Sequence, residues 1–173
     1  MPAPAPVRLR PARLDEIERV REIERLSARR FLGTDLAALV DDEPTDAATL
    51  AARIATGGLT VAEGEEGSPV AFLMARPVEG CGYIEQVDVL PEHAGRRLGA
   101  ALIAALEPAW PALLLSTFRD VPWNAPYYAR LGFRVIETLT PALEAIRAEH
   151  LARGLDESRR VFMRKGGSKL TVP

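Results

Sequence analysis

Cysteine occurs once in this 173-residue chain, at Cys81, so an intrachain disulfide framework is excluded and no thiolate metal cluster can form from the chain alone. Histidine occurs only at His93 and His150, too few to expect a zinc site, and no metal is expected. A charge excess is missing too: the formal net charge is -2 with 27% charged residues, which gives no overall basic field. A general nucleic-acid binder is therefore disfavoured, although a local basic pocket is not. No apolar run approaches the roughly 20 residues of a membrane span, and the start "MPAPAPVRLR" lacks the apolar core of a signal peptide. The expectation is a cytoplasmic protein with no nucleic-acid and no membrane partner.

What is there suits a soluble globular fold. The hydrophobic fraction of 47% and the length allow one sizeable core. A single domain is expected over 7–165, between a flexible lead-in at 1–6 and a flexible tail at 166–173. "VRLRPA" reads as a first strand. "RLDEIERVREIERLSARRF" reads as an amphipathic helix with Leu14, Ile17, Val20 or Arg21, Ile23 and Leu26 along one side. A second, shorter helix runs from about Asp46 to Ile54 and ends at Gly57 and Gly58. "LTVAEG" and "PVAFLMARPV" form an antiparallel hairpin, and "CGYIEQVDVL" is the next strand. "GRRLGAALIAALEPAW" is a helix with Leu98, Leu102, Leu106 and Trp110 on one line, and "ALLLSTF" is a buried strand, which implies a parallel crossover pair. Then follow the helix "NAPYYARLGF", the strand "FRVIET", the helix "PALEAIRAEHLARG" and the strand "SRRVFMRK".

The turn Pro91 to Gly99 is unusual for a mere connection, with two glycines, a histidine and the adjacent Arg96 and Arg97. A strand that ends in such a turn and feeds a helix aims unpaired backbone N–H groups and the positive helix end at one point, which is a geometry for phosphate. Glycine lets the backbone approach an anion closely, and the arginines add charge. The nucleotide P-loop is excluded because no Gly-Lys-Ser/Thr follows, and Gly95-x-x-x-Gly99 does not match G-x-G-x-x-G. Taken alone, the turn is equally well read as a glycine-containing helix start with solvated arginines.

A second motif, "STFRDVPWNAPYYARLGF", follows it. Together with "VDVLPEHAGRRLGAALI" it resembles the GNAT superfamily of acyl-CoA-dependent N-acetyltransferases, whose pattern is a strand ending in V-x-P, a Q/R-x-x-G-x-G/A turn, and later N-x-x-x-Y-x-x-x-G-F. The order of elements matches as well, from about Arg8 to Arg164. The resemblance implies an α/β (α+β) fold: a mixed, mostly antiparallel sheet of about seven strands flanked by helices, with acyl-CoA between splayed fourth and fifth strands. Its cofactor-binding residues would be Val87, Val89, Ala94, Gly95, Arg96, Arg97, Leu98, Gly99, Ala100, Asn124 and Tyr128. Two positions depart from the pattern. Ala94 stands where the family has Gln or Arg, and Arg97 stands at the first glycine of G-x-G, which is tolerable if Arg97 keeps a right-handed backbone.

Acetyl transfer from acetyl-CoA to an amine needs a base, an oxyanion donor and an acid. Alkyl amines have pKa near ~10, so a base that removes the proton is worth roughly 10²–10⁴-fold. Glu85 shares a strand face with Val89 and matches the family's glutamate; its alternative is a cross-strand ion pair. Gln86 and Asp88 point to the opposite face and are weaker candidates, and His93 reads as a solvated turn residue. The resemblance implies the backbone N–H of Val89 as oxyanion donor and Tyr128 as the acid for the departing thiolate. Tyr128 reads otherwise as a packed aromatic with a hydrogen-bonded hydroxyl, and Tyr127, about 100° round the helix, is expected to face the core. Asn124 either caps its helix or contacts the cofactor.

Acceptor recognition is expected from Phe31 to Thr45, with Asp35, Asp41, Asp42 and Glu43, and from Thr138 to Glu157. In the second segment Leu143, Ile146 and Leu151 are taken as available to pack over the site or a partner subunit. The reading is an acetyl-CoA-dependent N-acetyltransferase for a primary amine of a small molecule or peptide, acting by direct attack in a ternary complex, with a homodimer compatible. The alternative is a catalytically silent acyl-CoA-binding regulatory module.

Overall fold

The computed structural model describes residues 7–167. The lead-in expected at 1–6 and residues 168–173 of the expected tail lie outside the described residues. Seven strands are present among the described residues: β1 (Arg8–Pro11), β2 (Leu59–Glu63), β3 (Pro69–Val78), β4 (Cys81–Val89), β5 (Leu113–Phe118), β6 (Arg134–Val135) and β7 (Arg160–Lys165). The α-helices are α1 (Ile17–Ser27), α2 (Ala47–Ala55), α3 (Leu98–Leu106), α4 (Ala125–Arg130) and α5 (Pro141–Ala152), and the order of strands and helices is the one read from the sequence. The strands form one mostly antiparallel sheet in the order β1-β2-β3-β4-β5-β7-β6, with β4 and β5 parallel. The strand expected at "FRVIET" is shorter than its pattern, at two residues. Among the described residues no helix is long and apolar enough to cross a membrane.

The chain divides into two compact units. The first comprises the chain up to Ala75 together with Gln86–Ala105, and the second comprises Arg76–Glu85 together with the chain from Leu106 onward.

In the first unit β1, β2 and β3 form an antiparallel ladder. Arg10 on β1 ties it together: its guanidinium bonds Glu16 at 2.6 and 2.9 Å and also pairs with Glu63 on β2. The Arg10 hydrogen bonds hold the Glu16 carboxyl below its usual range and, reciprocally, raise the arginine. In α1 the buried positions are Val20, Ile23 and Ser27. Leu14, expected on the same stripe, is 64% exposed. It lies in a 3-10 turn (Leu14–Glu16), whose tighter winding takes it off the α-helical line, and Glu16 is buried there instead. Helix α2 starts at Asp46, whose side chain accepts from the Thr49 N–H at 2.8 Å. Just after it, Gly58 accepts from the Ala75 N–H at 2.8 Å, and a Cβ on Gly58 would lie 2.3 Å from the Ala75 carbonyl oxygen.

The second unit is built on β5 and β7, whose register runs from Leu113↔Lys165 to Phe118↔Arg160. Its core contains Val78, Tyr83, Leu114, Phe162, Leu143 and Ile146. Leu143 and Ile146 are thus committed to this core and are not available to cover a site or a partner, contrary to the sequence expectation. They share the inward face of α5 with His150, while Leu151, about 100° further round, is exposed. Thr140 caps α5 and donates to Glu79 at 2.7 Å, fastening the helix start to the β3–β4 turn. The Trp110 indole packs where a Gly82 side chain would lie.

Two stability effects follow. Gly58→Ala puts a methyl group against a backbone carbonyl that a ladder bond holds in place, so it should cost about 3 kcal/mol in denaturant unfolding. Glu16 has a lowered native pKa, so its contribution is present above about pH 4.5 and is lost as the pH falls through the native value. The melting-temperature gap between wild type and Glu16→Gln should therefore be widest near neutral pH and close in acid.

Candidate active site

Strand β4 ends at Leu90, whose N–H donates to Val70 O at 2.9 Å, and the chain enters a 3-10 turn (Pro91–His93). The N–H groups of His93 and Ala94 turn back onto Leu90 O and Pro91 O. Gly95 then adopts φ 79° and Arg97 φ 60°, with Arg96 between them outside the left-handed region. The sequence expectation of a right-handed Arg97 is thereby corrected. A non-glycine residue there costs roughly 1–2 kcal/mol, and the position has the backbone that the family's glycine would supply freely. Ala94 to Arg97 are exposed, whereas Leu98 and Gly99 are buried, so the left-handed residues bend an exposed loop into a buried helix start. Such alternation turns successive N–H groups toward one side. The first i to i−4 bond of the helix runs from Ala101 N–H to Arg97 O. The first turn of α3 carries no acidic residue. These residues fit an anionic group: an amide-rich bend with Arg96 and Arg97 beside it.

The other face of β4 carries a polar cluster that pattern reading set aside. The buried Asp88 carboxylate accepts from Ser27 Oγ at 2.6 Å, from Gln86 Nε2 at 2.6 Å and from Arg30 Nη2 at 3.2 Å. Burial pushes its pKa up to about 6, with Arg30 and the Ser27 and Gln86 bonds opposing the rise. Gln86 Oε1 accepts from Thr45 Oγ1 at 3.3 Å, and Thr45 in turn donates to Glu24 through its N–H at 3.0 Å and its hydroxyl at 3.3 Å. The available sequence signal was Ser27 at a buried phase of α1, a polar residue that must find a partner.

The remaining candidates belong to the second unit. Glu85 makes the cross-strand ion pair that was its alternative reading, with Arg76 Nε donating to Oε1 at 3.0 Å. Arg76 also stands 5.6 Å over the Tyr83 ring and 3.8 Å from Glu149. Burial pushes the Tyr83 hydroxyl up to about 12. Asn124 precedes α4 without a side-chain capping bond, and its Nδ2 donates instead to Thr117 Oγ1 at 2.8 Å. Its Oδ1 is buried and has no hydrogen-bond partner. An amide turned over would accept from the Thr117 hydroxyl through Oδ1 and put Nδ2 in the unpartnered place, so one polar end is open either way. Tyr128 is partly buried, edge-on to Tyr127 and Phe133 at centroid distances of 5.3 and 5.7 Å. Tyr127 is not a core residue as expected, but lies partly exposed with Arg130 5.9 Å over its ring. His93 sits in the turn and is partly exposed. Arg160 donates to Ser116 and stands 5.0 Å over Phe118.

A sequence profile described as the acetyltransferase (GNAT) family matches residues 18–133, more than half of the chain and parts of both units. The fold is similar to that of the PaiA N-acetyltransferase from Thermoplasma acidophilum in complex with coenzyme A, at 13% identity over 94% of this chain and 99% of that one, TM-score 0.67. It is similar to N-acetylglutamate synthase from Neisseria gonorrhoeae, complexed with coenzyme A and N-acetyl-glutamate, at 15% identity over 94% of this chain and 35% of that one, TM-score 0.69. Ard1 from Thermoplasma volcanium gives 18% identity over 92% of this chain and 96% of that one, TM-score 0.65. At these identities the likeness to the solved structures is one of fold, whereas the profile match is one of sequence. With that match on a seven-stranded, mostly antiparallel sheet, the chain belongs to the GNAT acetyltransferase family and is an acyltransferase.

Proposed function

We propose that the protein moves an acetyl group from acetyl-CoA to the primary amine of a small molecule or peptide, by direct attack in a ternary complex. The observation that carries this reading is the bend at Gly95 and Arg97, which leads exposed amides and two arginines into an acid-free start of α3. Gly95 and Arg97 to Ala100 then hold the pyrophosphate through backbone N–H groups, since the Ala94 and Arg96 amides are already bonded to Pro91 O and His93 O, and the loss of a longer side chain at Ala94 is offset by the side chains of Arg96 and Arg97. Val87 and Val89 pair with the pantetheine amides as an added strand would. The open Oδ1 of Asn124 supports a cofactor contact over a capping role, since it has no bond within the protein to give up.

Acetyl-CoA supplies an activated acyl group as a thioester. Glu85 takes the amine proton, directly or through water. The N–H of Val89 donates to the oxygen on which negative charge develops, a fixed dipole that needs no reorganisation. Tyr128 donates its phenolic proton to the departing sulfur, a transfer for which a phenol is a suitable general acid. The ion pair with Arg76 holds the Glu85 carboxylate in one orientation on β4. A silent acyl-CoA-binding module is the competing reading. It predicts coenzyme A binding without thiol release against any amine.

A thiol-release screen with acetyl-CoA against polyamines, amino acids, aminoglycosides and N-terminal peptides separates the two. With the best acceptor, Glu85→Gln and Tyr128→Phe should each lower kcat about 100-fold while coenzyme A affinity by calorimetry changes little. Equal losses in both quantities would overturn these roles. Arg97→Gly relieves the left-handed strain and should not lower the melting temperature, but it should shrink the rise that coenzyme A gives it, because one cation beside the pyrophosphate is lost. Arg97→Val adds about 1–2 kcal/mol of backbone strain at φ 60° and should reduce both in thermal denaturation.

A further inference from the structure

We propose that Asp88 is a positioning residue for acetyl transfer, fastening the Val87–Val89 stretch of β4 to α1 through Ser27, Arg30 and Gln86. This inference rests on the role proposed above for the Val89 N–H. An oxyanion donor works only if its N–H is held still before charge develops, and a displacement of about 1 Å can cost about 100-fold in rate. The residues on either side of Val89 are both tied down. Leu90 N–H bonds Val70 O on β3, and Asp88 bonds three side chains, two of them from α1 and the turn that follows it.

The cluster is more than a local pair. From Asp88 it continues through Gln86 to Thr45, the residue before the α2 cap, and returns to α1 at Glu24. It joins three segments of the first unit, α1, the approach to α2 and the reacting end of β4, by hydrogen bonds with one shared carboxylate at the end. A core built only for stability would be served as well by an apolar residue at 88, because burying a carboxylate carries a desolvation penalty that its partners do no more than offset. Apolar contact is also non-directional, whereas the two hydrogen bonds that reach the carboxylate from Ser27 and Arg30 orient the strand against α1 and the turn after it. A directional tie beside the donor is the gain that a leucine or valine could not supply.

The test compares Asp88→Ala, Asp88→Asn and Ser27→Ala with wild type. Each is assayed for kcat by thiol release, for coenzyme A affinity by calorimetry, and for hydrogen exchange at the Leu90 amide, which is bonded to Val70 O beside Val89. Asp88→Ala should lower kcat about 30- to 100-fold while coenzyme A affinity shifts less than about threefold. Ser27→Ala, which keeps the carboxylate and loses one bond, should lower kcat about three- to tenfold. Asp88→Asn is nearly isosteric and keeps an acceptor for Ser27, so it should recover most of the loss. Exchange at the Leu90 amide should quicken at least tenfold in Ser27→Ala and Asp88→Ala, with β5 amides unchanged. Wild-type kcat in folded Asp88→Ala or Ser27→Ala would overturn the proposal, as would a fall in kcat that only tracks coenzyme A affinity. Unchanged exchange at the Leu90 amide would overturn it whether or not any amine is acetylated. A chain that releases no thiol while exchange responds as expected would sink the proposed acetyl transfer and leave the tie itself standing. Normal turnover in Glu85→Gln would remove only the base.

Discussion

A β-strand has two faces and its backbone lies between them, so what fixes the side chains of one face also fixes the amides that serve the other. Strand β4 depends on this constraint. Glu85, Val87 and Val89 alternate with Gln86 and Asp88, and the second set is spent on hydrogen bonds to α1 and to the segment before α2. The carboxylate of Asp88 is costly to bury, and its raised pKa records that cost. The strand in return acquires an orientation that van der Waals packing alone does not specify.

The same economy of means is seen at the turn. Arg97 accepts a left-handed backbone that glycine would take without strain, and the reason lies on either side of it. Leu98 and Gly99 are buried and must enter the core, whereas the preceding residues are solvent-facing. Two left-handed residues accomplish that change of direction in the shortest length of chain. The helix they open presents its first-turn amides without an acidic side chain to compete for them.

The order of elements was legible in the sequence because each long segment has one clean period, from the alternation of "YIEQVDV" to the spacing of apolar residues in α1 and α3. Leu14 was misplaced for a physical reason: its segment winds as a 3-10 turn, and a period of 3.6 does not apply there. Arg97 was misjudged because an arginine, unlike a glycine or an asparagine, does not announce a positive φ in a sequence. The Glu85–Arg76 pair spans nine positions across a hairpin and was within reach as an alternative. The Ser27–Asp88 bond spans 61, and nothing local in either segment names the other. Distances of that kind are set by the sheet and not by the motif.

The contact between Trp110 and Gly82 has an optical consequence. Both tryptophans of the chain, Trp110 and Trp123, belong to the second unit, and the first unit has none. The indole of Trp110 lies against a strand position that has no side chain to displace it, so its emission registers the integrity of the second unit. Far-ultraviolet dichroism registers helices of both units. The chain therefore carries a built-in reporter by which melting of one unit is distinguished from melting of the whole.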